Sequence, residues 1–209
     1  ITAAATAGYT FMGWTVVTGT ASIATPSALS TTATLTSGNA EVRASFALNT
    51  HQLTVTSTAG GTITAPPSSP VTVADGVPTT ITAVATAGYT FTGWTVVTGI
   101  ASIAAPSSLS TTVTLTSGDA AVRANFTLNT YQLTVTSTAG GTITAPASSP
   151  VTVNHGVATT ITAVATAGYT FTGWTVVSGS GVSIATPSAL STTVTLTGGD
   201  AGVRANFIL

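Results

Sequence analysis

The chain has 209 residues, of which only 3% are charged, and a formal net charge of −1; ordinary globular chains carry roughly a quarter charged residues. With three arginines and no lysine there is no basic face to neutralise phosphates, which argues against nucleic-acid binding. Cysteine is absent, so disulfides and thiolate metal sites are excluded, and no uninterrupted apolar run approaches the ~20 residues of a bilayer-spanning helix. Threonine supplies about a quarter of the residues, so solubility is expected to rest on hydroxyls.

The chain repeats itself. Tyr9, Tyr89 and Tyr169 each open the phrase Tyr-Thr-Phe-x-Gly-Trp-Thr-Val-Val, closing on Val17, Val97 and Val177, with a period of about 80 residues. The first copy, 1–48, starts at the counterpart of Ile81 and Ile161 and lacks the counterpart of 49–80, about two strands of chain. Three readings stay open: a chain cut within a unit, a window of a longer array, or opening strands supplied by a neighbouring molecule at a sheet edge. Two full units follow, 49–128 and 129–209.

Within the last unit, 132–137 alternates polar and apolar residues, which predicts a half-buried strand with Leu133 and Val135 inward. Ala139-Gly140-Gly141 predicts a turn and 142–145 the return strand, after which Pro146 and Pro150 break regular pairing. Residues 151–153 precede a second turn at Asn154-His155-Gly156, and 160–166 read as a strand turned by Ala167-Gly168 into the aromatic phrase 169–177. A less regular stretch, 178–191, leads to strand 193–197, a turn at 198–200, and a closing strand in which Val203, Ala205 and Phe207 share one face and Arg204 and Asn206 the other. No segment reads as an amphipathic helix; the best candidate, 101–110, is interrupted by Pro106. The expected fold is all-β, a tandem array of small β domains of about 80 residues with an incomplete first copy. Such domains are marginal alone, so contacts between neighbouring repeats are expected to help.

Ala-Gly-Tyr-Thr-Phe-Thr-Gly-Trp, followed some thirty residues later by Val-Arg-Ala-Asn-Phe, resembles the divergent internalin-B-type B-repeat family of bacterial surface proteins, also called Listeria–Bacteroides-type repeats. Tyr131-Gln-Leu-Thr-Val, the Gly-Gly-Thr-Ile turn and Gly156 fit the same layout. The resemblance implies a β-grasp-like or small β-sandwich bead, extracellular or on the cell surface, in arrays serving as stalk, spacer or adhesive. It brings no catalytic residues. The chain departs from the family in its near-absence of charge and in connections of the 178–191 type.

Tyr89, Phe91, Trp94 and Phe126, with Tyr169, Phe171, Trp174 and Phe207, are expected to fill the core of each full unit, because aromatics dominate small cores. Their rival role is a sugar-stacking surface, and burial of Trp94 and Trp174 would remove its main support. Arg43, Arg123 and Arg204 recur beside Glu41, Asp119 and Asp200; Asp119–Arg123 and Asp200–Arg204 are expected as local ion pairs pinning the last hairpin, each contributing up to about 1 kcal/mol if exposed. His51 and His155 occupy non-equivalent positions, Tyr131 replacing the first and Asp75 the second. Four carboxylates and two histidines offer no convergent ligand set; no cofactor, metal site or catalytic centre is expected, and without lysine there is no Lys–Asn isopeptide cross-link. The Thr-x-Thr ladders (Thr54/Thr56, Thr134/Thr136, Thr195/Thr197) suit the solvent face of strands. Ice binding is a remote alternative, since ice-binding solenoids repeat at far shorter periods, and O-linked glycans are a further use for the hydroxyls.

These readings make the chain a non-enzymatic structural segment, a stalk or a self-assembling fibre, with glycan adhesion as the alternative. Its expected partners are neighbouring repeats, copies of itself through strand exchange at poorly defended edges, or a surface glycan.

Overall fold

A computed structural model describes all residues, Ile1–Leu209, as strands and turns without a helix. The first copy contributes β1 (Tyr9–Ile23) and β2 (Ala33–Leu48). The second contributes β3 (Thr50–Ser57), β4 (Gly61–Ala65), β5 (Val71–Ala74), β6 (Thr79–Ala85), β7 (Tyr89–Thr98), β8 (Ser102–Ile103), β9 (Ser110–Thr114) and β10 (Ala120–Leu128). The third repeats that order: β11 (Thr130–Ser137), β12 (Gly141–Ala145), β13 (Val151–Asn154), β14 (Thr159–Ala165), β15 (Thr170–Ser178), β16 (Val182–Ile184), β17 (Ser191–Leu196) and β18 (Ala201–Ile208). The chain is thus a tandem series of all-β domains. The irregular stretch before β17 harbours the short strand β16.

Each full repeat holds two four-stranded sheets, ordered β5-β3-β10-β7 and β4-β6-β9-β8 in the second copy, β13-β11-β18-β15 and β12-β14-β17-β16 in the third. One pairing in the first sheet is parallel: Leu133 opposite Ala201 through Ser137 opposite Ala205, matched by Leu53–Ser57 against Ala120–Ala124. Period-2 alternation aims Leu133, Val135, Val203, Ala205 and Phe207 inward, where they meet Ile161, Ala163, Val194 and Leu196 of the second sheet in one buried cluster. Of the two layouts the resemblance implied, the sandwich is the one formed.

Strict alternation would put Trp174 on the opposite face from Phe171. The strand escapes this through a bulge at Gly173, where the pairing with β18 slips between Phe171 and Gly173. Gly173 has φ of +133°, and Trp174 N–H then leaves the ladder to donate to Pro187 O at 2.8 Å. Both rings therefore face the core, with centroids 6.0 Å apart. Gly93 has φ of +132° at the equivalent place.

The first copy takes a different course from the same sequence. Here β1 and β2 run as one two-stranded ribbon of 15 and 16 residues, with register shifts near Phe11, Val16, Thr18 and Thr20. In the full repeats this stretch is divided between two sheets. By contacts the chain forms two compact units, Ile1–Val84 with Thr92–Asn125, and Ala85–Phe91 with Phe126–Leu209; the division runs through the middle repeat.

Candidate functional site

Each passage from one repeat to the next turns on a single asparagine between two strands. Asn49 N–H donates to Gly8 O at 2.7 Å, its carbonyl accepts Asp75 N–H at 2.9 Å, and its side-chain oxygen accepts the Thr10 hydroxyl at 2.6 Å. Asn129 does the same: its N–H donates to Gly88 O at 2.8 Å, its carbonyl accepts His155 N–H at 2.9 Å, and its Oδ1 accepts the Thr90 hydroxyl at 2.6 Å. A one-residue linker has only two soft dihedrals, and here three of its polar groups are bound. The following glycines fasten the turn to the core of its own repeat, Gly76 N–H to Leu115 O and Gly156 N–H to Leu196 O, both at 2.8 Å.

Each joint holds one of the two histidines. His51 Nε2 lies 2.7 Å from Asp75 Oδ1, both side chains about 14% exposed. At the second joint Tyr131 and His155 take those places, hydroxyl to Nδ1 3.3 Å, rings 6.0 Å apart. Position 51/131 and position 75/155 therefore change together, His–Asp in one joint and Tyr–His in the other. Sequence reasoning saw two unrelated substitutions; the signal it missed was that both fall 24 residues apart in the same unit. Asp75 packs over Gly8 and His155 over Gly88 so closely that neither glycine has room for a Cβ.

Trp94 and Trp174 are buried, their indole N–H groups donating to Ser108 O and Ala189 O at 3.0 Å. Phe126 and Phe207 are also buried, and Tyr89, Phe91, Tyr169 and Phe171 are half-buried around them. A shallow cavity of about 340 Å³ is lined by Gly93, Trp94, Thr95, Pro106 and Asn125, but Trp94 is only 4% exposed.

The ion pairs expected on the last hairpin are not formed; His51–Asp75 is the one pair within bonding distance. Asp119 Oδ1 accepts the backbone N–H of Gln52 at 2.8 Å, and Asp200 Oδ1 that of Gln132 at 2.8 Å, each where the parallel ladder begins. Arg123 Nε donates to Asn125 Oδ1 at 3.1 Å and Arg204 Nε to Asn206 Oδ1 at 3.2 Å. The reason is geometric: four residues along a strand span roughly 13 Å, so Asp119 and Arg123 reach different neighbours. Asn125 in turn donates to Gly93 O at 3.0 Å and Thr95 Oγ1 at 3.1 Å, with Asn206 doing so to Gly173 O and Thr175 Oγ1. The Val-Arg-Ala-Asn-Phe motif therefore satisfies the carbonyl that the glycine bulge frees. Among the ladder threonines, Thr56 and Thr136 donate to Val122 O and Val203 O across the parallel pairing. No group of three or more His, Cys, Asp or Glu side chains converges, and there is no helix long and apolar enough to cross a membrane.

A two-stranded ribbon and two two-sheet units, linked each time through one asparagine, define a tandem all-β repeat protein. The family model described as the divergent InlB B-repeat domain matches 1–50, 51–130 and 131–209, and the chain belongs to that family. Repeats of this type are typical of extracellular bacterial surface proteins. A search of curated proteins finds no match.

Proposed function

We propose that the chain is a non-enzymatic structural segment of an extracellular or cell-surface bacterial protein, a stalk that holds its repeats, 1–48, 49–128 and 129–209, at set angles. The observation that carries this reading is the asparagine joint, formed twice with the same three hydrogen bonds. A spacer joined this way resists bending, because turning the asparagine about φ pulls its Oδ1 off Thr10 or Thr90, and Asp75 and His155 pack directly on Gly8 and Gly88 across the joint. Burial of Trp94 and Trp174 weighs against the glycan-adhesion alternative.

The absence of cysteine makes the test direct. Spin labels on the exposed serines at Ser107→Cys and Ser188→Cys flank the second joint. Pulsed dipolar spectroscopy is expected to return one narrow distance, which four glycines inserted after Asn129 broaden. A broad distribution in the unmodified chain would overturn the stalk reading.

A further inference from the structure

We infer that each full repeat is a tension-bearing element whose clamp is the parallel ladder between its opening and closing strands, β3 with β10 and β11 with β18. A stalk meets tension along its length, so the clamp rests on the stalk reading for its load and adds where that load is carried.

Tension passed along the chain enters the second repeat at Thr50, next to Asn49, and leaves at Leu128, next to Asn129. Leu53 to Ser57 lie parallel to Ala120 to Ala124, residue for residue. The pulled end of β3 is therefore at the Leu53–Ala120 end of the ladder, and the pulled end of β10 at the Ser57–Ala124 end. Drawing the strands apart slides one along the other, so all five pairs resist together. An antiparallel pairing would put both pulled ends at one edge, and the bonds would break one after another. The third repeat keeps the same register, Leu133 opposite Ala201 through Ser137 opposite Ala205.

Residues 59–119 and 139–200, which supply the remaining strands of the two sandwiches, lie between the clamped segments in sequence. They stay unloaded while the ladder holds. The clamp is also the central pair of its sheet, flanked by β5 and β7 in one repeat and by β13 and β15 in the other. Leu133, Val203 and Ala205 are 0% exposed and Val135 4%. Sliding must drag these side chains out of the core before water reaches the bonds, which opposes the motion.

Both ends of the ladder are braced. Where tension enters the third repeat, Asp200 Oδ1 holds the Gln132 N–H at 2.8 Å, just ahead of the first pair. At the far end Thr138 N–H donates to Ala205 O at 2.9 Å, and the Thr138 hydroxyl oxygen accepts Phe207 N–H at 2.8 Å. Thr138 thus carries the pairing one residue past Ser137. In the second repeat Asp119 holds the Gln52 N–H at 2.8 Å, and Thr58 N–H donates to Ala124 O at 2.9 Å.

The test pulls the whole 209-residue protein through handles on pairs of introduced cysteines, which a cysteine-free chain permits. Thr130, Thr197 and Ile208 are exposed. Thr130→Cys with Ile208→Cys loads the ladder along its length, whereas Thr130→Cys with Thr197→Cys pulls at one end and peels it. Forced unfolding reads the unfolding rate, and the first pair is expected to yield at a force at least about twice that of the second. It should yield in one step of roughly 25 nm, at ~3.5 Å per residue released. Thr138→Val removes the acceptor of Phe207 N–H at the end that peels last. It should lower the force for the first pair and leave that for the second unchanged. Equal forces in the two directions, or a first step far shorter than a whole repeat, would overturn the inference. Both handles sit within one repeat, so a swivelling joint leaves these forces unchanged, and a weak clamp leaves the spin-label distance narrow.

Discussion

Leu35, Leu115 and Leu196 occupy one position of the repeat and carry the same side chain, yet the first is 60% exposed and the others 0%. Burial follows from what lies opposite, and only the full repeats bring a second sheet there. Truncation should separate them sharply. Leu196→Ala deletes a core side chain and is expected to cost about 2–5 kcal/mol, while Leu35→Ala stays within about 0.5 kcal/mol. Urea denaturation of the two variants measures the contrast; equal costs would mean that the ribbon of the first repeat buries Leu35. The threonine-rich alternation was legible at this scale, because period 2 sets which side chains point inward. The partnership of His51 with Asp75, 24 residues apart, was not, since it depends on where the turn after β5 comes to rest.

At the scale of elements, the strands of the full repeats follow the predicted alternation and turns closely, and the exceptions have identifiable causes. The Gly173 bulge breaks period 2 so that Phe171 and Trp174 share the core, and a one-residue slip of this kind leaves no trace in composition. The acid of the last turn was assigned to the wrong partner because closeness in sequence along a strand means distance in space. Asp119 instead caps the first amide of the parallel ladder. This divides two substitutions that an ion pair would make equal. Asp119→Ala should cost about 1 kcal/mol through the orphaned Gln52 N–H, whereas Arg123→Gln should stay within about 0.5 kcal/mol. Chemical denaturation with and without added salt checks both, and a strong salt dependence would restore the ionic account.

Across the whole molecule, three near-copies of one sequence fold into two complete sandwiches and one ribbon. Local opening is easiest where few apolar contacts back the hydrogen bonds. Amides of 22–23 and 33–34 are therefore expected to exchange at least about tenfold faster than those of 102–103 and 113–114, the equivalently paired residues of the middle repeat. Hydrogen exchange read by mass spectrometry reports this directly, and equal protection would show that the ribbon is as firmly held as a sandwich.

The sequence by itself determined the repeat and its period, the all-β class, the strands, their inward faces and the turns between them. Each of these follows from local chemistry: alternation of β-branched and apolar residues, and glycines where the chain must reverse. Tertiary structure alone decided the parallel pairing of opening and closing strands, the bulge that turns both rings inward, and the asparagine joints. Those features depend on groups far apart in the chain meeting in space.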